Sequence, residues 1–129
     1  EFIERARKYR KIFGGGMRQA GILAAAALYA LEHNIERLVE DHANARLLAS
    51  SLAEVTGLDV DPDSVETNIV LADVRRTGKT ADEVIRLLQE RGVLVSDAGP
   101  TILRFVTHLD VDRTQIECAL AVIRKLPLL

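Results

Sequence analysis

Cysteine is almost missing from this chain: among 129 residues there is one, Cys118. No intrachain disulfide can form, and such usage suits a reducing cytosol better than a disulfide-stapled secreted fold. Charge of one sign is not in surplus either. The net charge is −2, which gives the chain as a whole no electrostatic reason to bind nucleic acid or an anionic membrane. Long apolar runs are lacking: the longest, residues 20–31, is interrupted by Gly21 and falls short of the roughly 20 residues that cross a bilayer. No basic segment is followed by an apolar core and a cleavage site, so no signal peptide is read. His33, His42 and His108 are scattered without metal-ligand spacing. No nucleophile stands in a recognisable pattern with a base, and there is no internal repeat or low-complexity segment. The first residue is Glu1 rather than Met, so the chain is expected to start within a longer sequence.

What is present reads as a globular α/β chain. Apolar residues make up 48% and charged residues 28%, ordinary proportions for a soluble domain with a real core. Residues 2–11 carry a rough apolar stripe at helical spacing and an excess of basic side chains. Gly14, Gly15 and Gly16 break that helix, since three glycines together lose too much chain entropy inside one. A second helix is expected from Met17 to about Glu32, apolar nearly all round and therefore buried, with His33 and Asn34 as its stop. In a third helix Ile35, Leu38, Val39, His42, Ala45, Leu48, Leu52 and Val55 hold the 3.6-residue period, and Gly57 ends it.

From residue 58 onward strand and helix alternate. Residues 61–64 are a turn, 67–74 a strand and 75–79 a loop. Thr80 with Glu83 caps a helix to about Arg91. Residues 93–95 are expected to form a short strand, 97–100 a loop and 102–106 another strand. Asp112 with Gln115 caps a last helix with Ile116, Ala119, Leu120, Ile123 and Leu126 inward, in whose apolar pattern Cys118 is expected as a buried small hydrophobe. The order β-α-β-β-α predicts a small α+β domain: a short, mostly antiparallel sheet with two helices on one face.

Two features do not follow from scaffold alone. Arg104 interrupts the apolar strand Ile102-Leu103-Arg104-Phe105-Val106. Alternation puts Arg104 with Ile102 and Val106 on one face. Either that face is open to water, or it lines a cleft where a guanidinium fork takes a carboxylate through two parallel hydrogen bonds. The second is Gly14-Gly15-Gly16-Met17-Arg18. Glycines admit a ligand to the backbone, a helix start offers free N–H groups, and Arg18 adds a charge, which together suit an anion such as phosphate. The plainer alternative is a flexible connection, and the spacing is not that of a P-loop. Lys11 lies on the basic helix before it, where a solvated charged face is the default. Thr67-Asn68 opens a strand and could present an amide to a ligand, and His108, just past the Arg104 strand, could reach the same cleft.

The run ARKYRKIFGGGMRQAG at residues 6–21, the strand TNIV at 67–70 and the ending LRFVTHLDV at 103–111 together resemble the low-specificity L-threonine aldolases. The motifs keep their order and cover essentially the whole chain. The resemblance implies the C-terminal part of an aspartate-aminotransferase-like fold. Residues 1–33 would then end the large cofactor-binding domain, 34–56 form the connecting helix and 57–129 the small α+β domain. It implies a pyridoxal 5′-phosphate enzyme that cleaves L-threonine and L-allo-threonine to glycine and acetaldehyde. It also implies a cytoplasmic homotetramer or dimer with shared active sites, no nucleic acid and no membrane. Arg104 would bind the substrate carboxylate, and Arg18 and Lys11 would lie near the cofactor phosphate. The lysine that holds the cofactor would lie upstream, outside this chain. The rival readings are a non-catalytic α/β ligand-binding or oligomerisation module, and another lyase of the same fold type.

Overall fold

The computed structural model describes residues 1–128; the final residue of the expected 57–129 domain lies outside the described residues. The chain divides into two compact units, Glu1–Glu36 and Arg37–Leu129.

The first unit holds two helices, α1 (Phe2–Ile12) and α2 (Gly21–His33). The glycine run ends α1 in a specific way. Gly14 takes a left-handed φ of 79°; its N–H donates to the Lys11 carbonyl at 3.2 Å and the Gly15 N–H to the Arg10 carbonyl at 2.7 Å. This is a Schellman cap, in which the last free carbonyls of a helix are satisfied by a chain that turns left-handed. A Cβ on Gly15 would stand 2.6 Å from Arg10 Cγ and 2.9 Å from its carbonyl oxygen, so glycine is required there too. The second helix starts at Gly21, not at Met17 as expected. Residues 18–20 bend and turn, and Gln19 among them carries a left-handed φ of 53°, a conformation that a helix from Met17 would not contain. Asn34 ends α2 in the right-handed region, at φ −112°, so the helix stops without the left-handed cap expected of asparagine. Nor is α2 buried. Ile22 is 80% exposed, and no residue of α1 or α2 is buried, because a 36-residue unit of two helices has too little chain to cover a helix that is apolar all round.

The second unit opens with α3 (Leu38–Ala53) and continues with β1 (Ile69–Asp73), α4 (Ala81–Gln89), β2 (Ser96–Gly99), β3 (Ile102–Val106) and α5 (Arg113–Ile123). The three strands form one antiparallel sheet in the order β1-β3-β2. The strand expected at 93–95 instead forms over Ser96–Gly99, within the turn-rich stretch that was expected to be loop. Only Pro100 and Thr101 make the hairpin connection, and Gly99, at φ 155°, takes up a bulge against β3. One sheet face is buried: Val70, Ala72, Leu103 and Phe105 share a core with Ala45, Leu48, Ala49 and Leu52 of α3, Val84 and Leu88 of α4, and Ile116, Leu120 and Ile123 of α5. Three helices rather than two therefore cover that face.

The expected stripe of α3 holds at Ala45, Leu48 and Leu52, which are buried, and departs in the first turns, where Ile35 and Leu38 are exposed. Val39 is exposed, whereas Asp41 is only 4% exposed and Asn44 is buried. Arg37 explains the buried acid, since its guanidinium donates to both Asp41 carboxylate oxygens, at 2.8 and 2.7 Å. That bond, more than any other influence, raises the Arg37 pKa above its ordinary value. Cys118 is exposed, not buried. The inward face of α5 runs through Ile116, Leu120 and Ile123, and a residue two beyond Ile116 points about 200° away around a helix.

Both expected capping boxes form, at Thr80/Glu83 and Asp112/Gln115. The Thr80 N–H donates to Glu83 Oε2 at 2.7 Å, and this bond leads the causes that lower the Glu83 pKa. A carboxylate with a lowered folded pKa contributes stability above its unfolded value, near 4.3, and that contribution is lost as pH falls through the folded value. In a pH titration followed by NMR, the Thr80 amide and Glu83 side chain should therefore shift together, at a pH below the ordinary glutamate value. A shared midpoint at the ordinary glutamate value would show that the box is not formed in solution.

Candidate functional site

Arg104 lies on β3, and the pairing register fixes its surroundings. Its direct neighbours are Leu71 on β1 and Ser96 on β2. Side chains alternate across a strand, so with Leu103 and Phe105 in the core, Arg104 takes the opposite face. Ile102, Val106, Ile69 and Leu71 stand around it there, and Leu71 is 51% exposed. The nearest acid on this face is Asp73, one pairing step along β1. Its carboxylate is taken by Arg75, through the side chain at 3.1 Å and the backbone N–H at 2.8 Å. Arg104 itself makes no ion pair among the described residues. The result is a guanidinium set among aliphatic side chains on the sheet face opposite α3, α4 and α5, which suits the fork that a ligand carboxylate needs.

The far end of β3 is anchored firmly. Thr107 is fully buried, and its hydroxyl donates to the Asp41 carbonyl of α3 at 2.7 Å. Its N–H donates to the Asn68 carbonyl at 3.0 Å, and the Asn68 side-chain amide donates back to the Thr107 carbonyl at 2.8 Å. The Asn68 amide is thus spent on extending the β1–β3 ladder and is not free for a ligand. His108 is exposed, and its Nδ1 accepts the Asp110 N–H at 3.3 Å. The clasp formed by Arg37, Asp41 and Thr107 was missed in the sequence, because an arginine and an aspartate one helical turn apart look like any surface pair.

Lys11 and Arg18 belong to the first unit. Lys11 is in the last turn of α1, and Arg18 is on the connection after the glycine cap rather than in the first turn of α2. Both are exposed, and neither makes an ion pair among the described residues. The start of α2 has Ala20 at its N-cap and no capping side chain, which leaves its first N–H groups available to an anion. Gln19, between Arg18 and that helix start, holds a conformation uncommon for a non-glycine residue. Nothing in the sequence marks it, since glutamine lacks the left-handed tolerance that flags glycine or asparagine.

Apart from these groups, a mostly apolar groove of about 570 Å³ lies between α5 and residues 91–95, lined among others by Phe105, His108 and Cys118 but not by Arg104. Among the described residues no group of histidines, cysteines and acids could hold a metal ion, and no helix is long and apolar enough to cross a membrane.

The profile of the beta-eliminating lyase family matches residues 1–76. Among curated proteins, the chain is 47% identical over 116 residues to the low specificity L-threonine aldolase of Escherichia coli K12, covering 90% of this chain and 33% of that protein. It is 40% identical over 127 residues to a probable low-specificity L-threonine aldolase 2 of Arabidopsis thaliana, covering 98% of this chain and 36% of the relative. The chain thus spans about a third of the length of the curated relatives it matches. Among solved structures, it superposes with a TM-score of 0.64 and 20% identity on a C-DES mutant with glycine covalently linked to the PLP cofactor, over 82% of this chain and 28% of that one. A second, MppP soaked with the product 2-ketoarginine, gives 0.57 and 19%, over 74% and 29%. At these identities the likeness concerns the fold, which this chain shares with part of both.

Proposed function

The chain belongs to the beta-eliminating lyase family, and from that premise we propose that it is the C-terminal portion of a pyridoxal-phosphate-dependent L-threonine aldolase. The longer protein would split L-threonine and L-allo-threonine into glycine and acetaldehyde. The observation that carries this reading is the uncompensated Arg104 fork on the open sheet face, in a chain 47% identical to an L-threonine aldolase. In this reading residues 1–33 close the large domain, 34–56 connect, and 57–129 form the small domain. The protein works in the cytoplasm as a dimer or tetramer with shared sites. An exposed free thiol at Cys118 suits a reducing compartment.

The residues present fit the cofactor's phosphate. Lys11 and Arg18 make no ion pair among the described residues, and the uncapped start of α2 supplies backbone donors. Lys11 and Arg18 would hold that phosphate, Arg18 from the neighbouring subunit. When bound, the cofactor supplies an electron sink for the pair released as the Cα–Cβ bond of the substrate breaks. This chain's part is binding and orientation. Arg104 holds the carboxylate in a fixed plane, and the aliphatic ring around it thins the water over that ion pair, which strengthens it.

Aldehyde release from L-threonine by the purified longer protein tests the reading. Acetaldehyde and glycine in equal amounts are expected. Pyruvate and ammonia from an amino acid with a β leaving group, without threonine cleavage, would replace aldol cleavage by elimination. Arg18→Ala should weaken cofactor retention, measured as absorbance lost on dialysis. Mixing this variant with one lacking the cofactor-binding lysine should restore part of the activity in mixed dimers. Absence of such complementation would confine Arg18 to its own subunit.

A further inference from the structure

Arg104 has five N–H donors, and a bidentate carboxylate takes two of them. The others still need acceptors once water is thinned out, and an arginine with four side-chain torsions needs something to fix the plane of its fork. The sheet offers two direct neighbours in the same row. Leu71, on the β1 side, has no acceptor; Ser96, on the β2 side, is exposed and carries a hydroxyl. Directly opposite residues in an antiparallel pair have Cβ atoms roughly 4.5–5.5 Å apart, well within the reach of an arginine stem folded across the sheet.

The choice of serine in that row follows from charge. Asp97, the next residue, pairs with Leu103 and so belongs to the other row. A slip of one residue would exchange the two and set an aspartate beside Arg104, where it would compete with the ligand carboxylate. The bulge between Asp97 and Gly99 is where the β2–β3 register changes; bulges of this kind fix which residue faces which. Serine is a neutral acceptor and does not compete.

We infer that Ser96 is a positioning residue for the substrate-carboxylate site: its hydroxyl oxygen accepts the N–H edge of Arg104 that is turned away from the carboxylate, and so fixes the plane of the fork. The inference rests on the proposed role of Arg104. In the full-length enzyme, Ser96→Ala should raise KM for L-threonine about five-fold, the equivalent of one net hydrogen bond, and leave kcat and the melting temperature nearly unchanged. Ser96→Thr, which keeps the hydroxyl and suits a strand, should restore KM. In an Arg104→Lys background, Ser96→Ala should have no further effect, since the group it orients is gone. If Arg104→Lys is damaging but Ser96→Ala is silent, or its effect simply adds to that of Arg104→Lys, the Ser96 inference fails alone. If Arg104→Lys is itself silent, the carboxylate reading fails, and the inference with it.

Discussion

Arg104→Lys in the full-length enzyme is expected to lower kcat/KM for L-threonine by roughly 30- to 4,000-fold. Truncating one partner of a desolvated, hydrogen-bonded charge pair costs about 2–5 kcal/mol, and about 1.36 kcal/mol corresponds to one decade in rate. Lysine keeps the charge but presents an ammonium, which cannot reproduce two parallel hydrogen bonds from a planar fork. The fold should be nearly indifferent to the change. Arg104 makes no ion pair among the described residues and faces away from the core, so its loss opens no cavity and strands no buried acid. Steady-state kinetics and thermal melting of the variant separate the two effects. An arginine that merely faced water would change kcat/KM by less than about threefold, as surface substitutions do. Such a result would remove Arg104 from the site and leave no carboxylate binder on this sheet.

The second large effect is expected of the 129-residue chain by itself: no aldehyde release from L-threonine, with or without added cofactor. A lysine that forms a Schiff base must give up its proton readily, which it does in a desolvated pocket or beside another cation. The chain has four lysines. Lys8 and Lys11 are exposed on α1, Lys125 is exposed after α5, and Lys79 donates to the Leu128 carbonyl at 3.0 Å. Among the described residues, none of the four is buried. The same preparation should self-associate, because α2 presents Ile22, Leu23, Leu28, Tyr29 and Leu31 to solvent. Sedimentation velocity and a cofactor absorbance scan, run beside the activity assay, check both statements. Turnover by the pure chain would place the cofactor-binding group among these four lysines and overturn the proposed division of the protein.

Much of the second unit was legible as sequence. Thr80/Glu83 and Asp112/Gln115 caught both capped helices, because a capping box is a local device whose partners are three residues apart. Period-two alternation found β1 and β3, and it placed Arg104 opposite Leu103 and Phe105. It could not say which of those faces the helices would cover, since that depends on residues from α3, α4 and α5, as many as 60 positions away along the chain. The same limit misplaced β2. Serine, aspartate and glycine at 96–99 have poor strand propensity, and they are a strand here because β3 supplies the hydrogen bonds.

The amino-acid sequence by itself determined the pieces whose energetics are local: the break at the glycine run, the capped helices, the alternation of β3, and the motifs that tie the chain to its relatives. Tertiary structure alone decided that Asp41 is buried against Arg37 and Thr107, and that Asn68 is committed to the sheet. It also set Ser96 beside Arg104 while keeping Asp97 out of that row. Each of these depends on pairing register or on contacts between distant segments. A one-residue change in register exchanges the faces of a strand without altering any local propensity, so only the assembled sheet could decide which side chains meet.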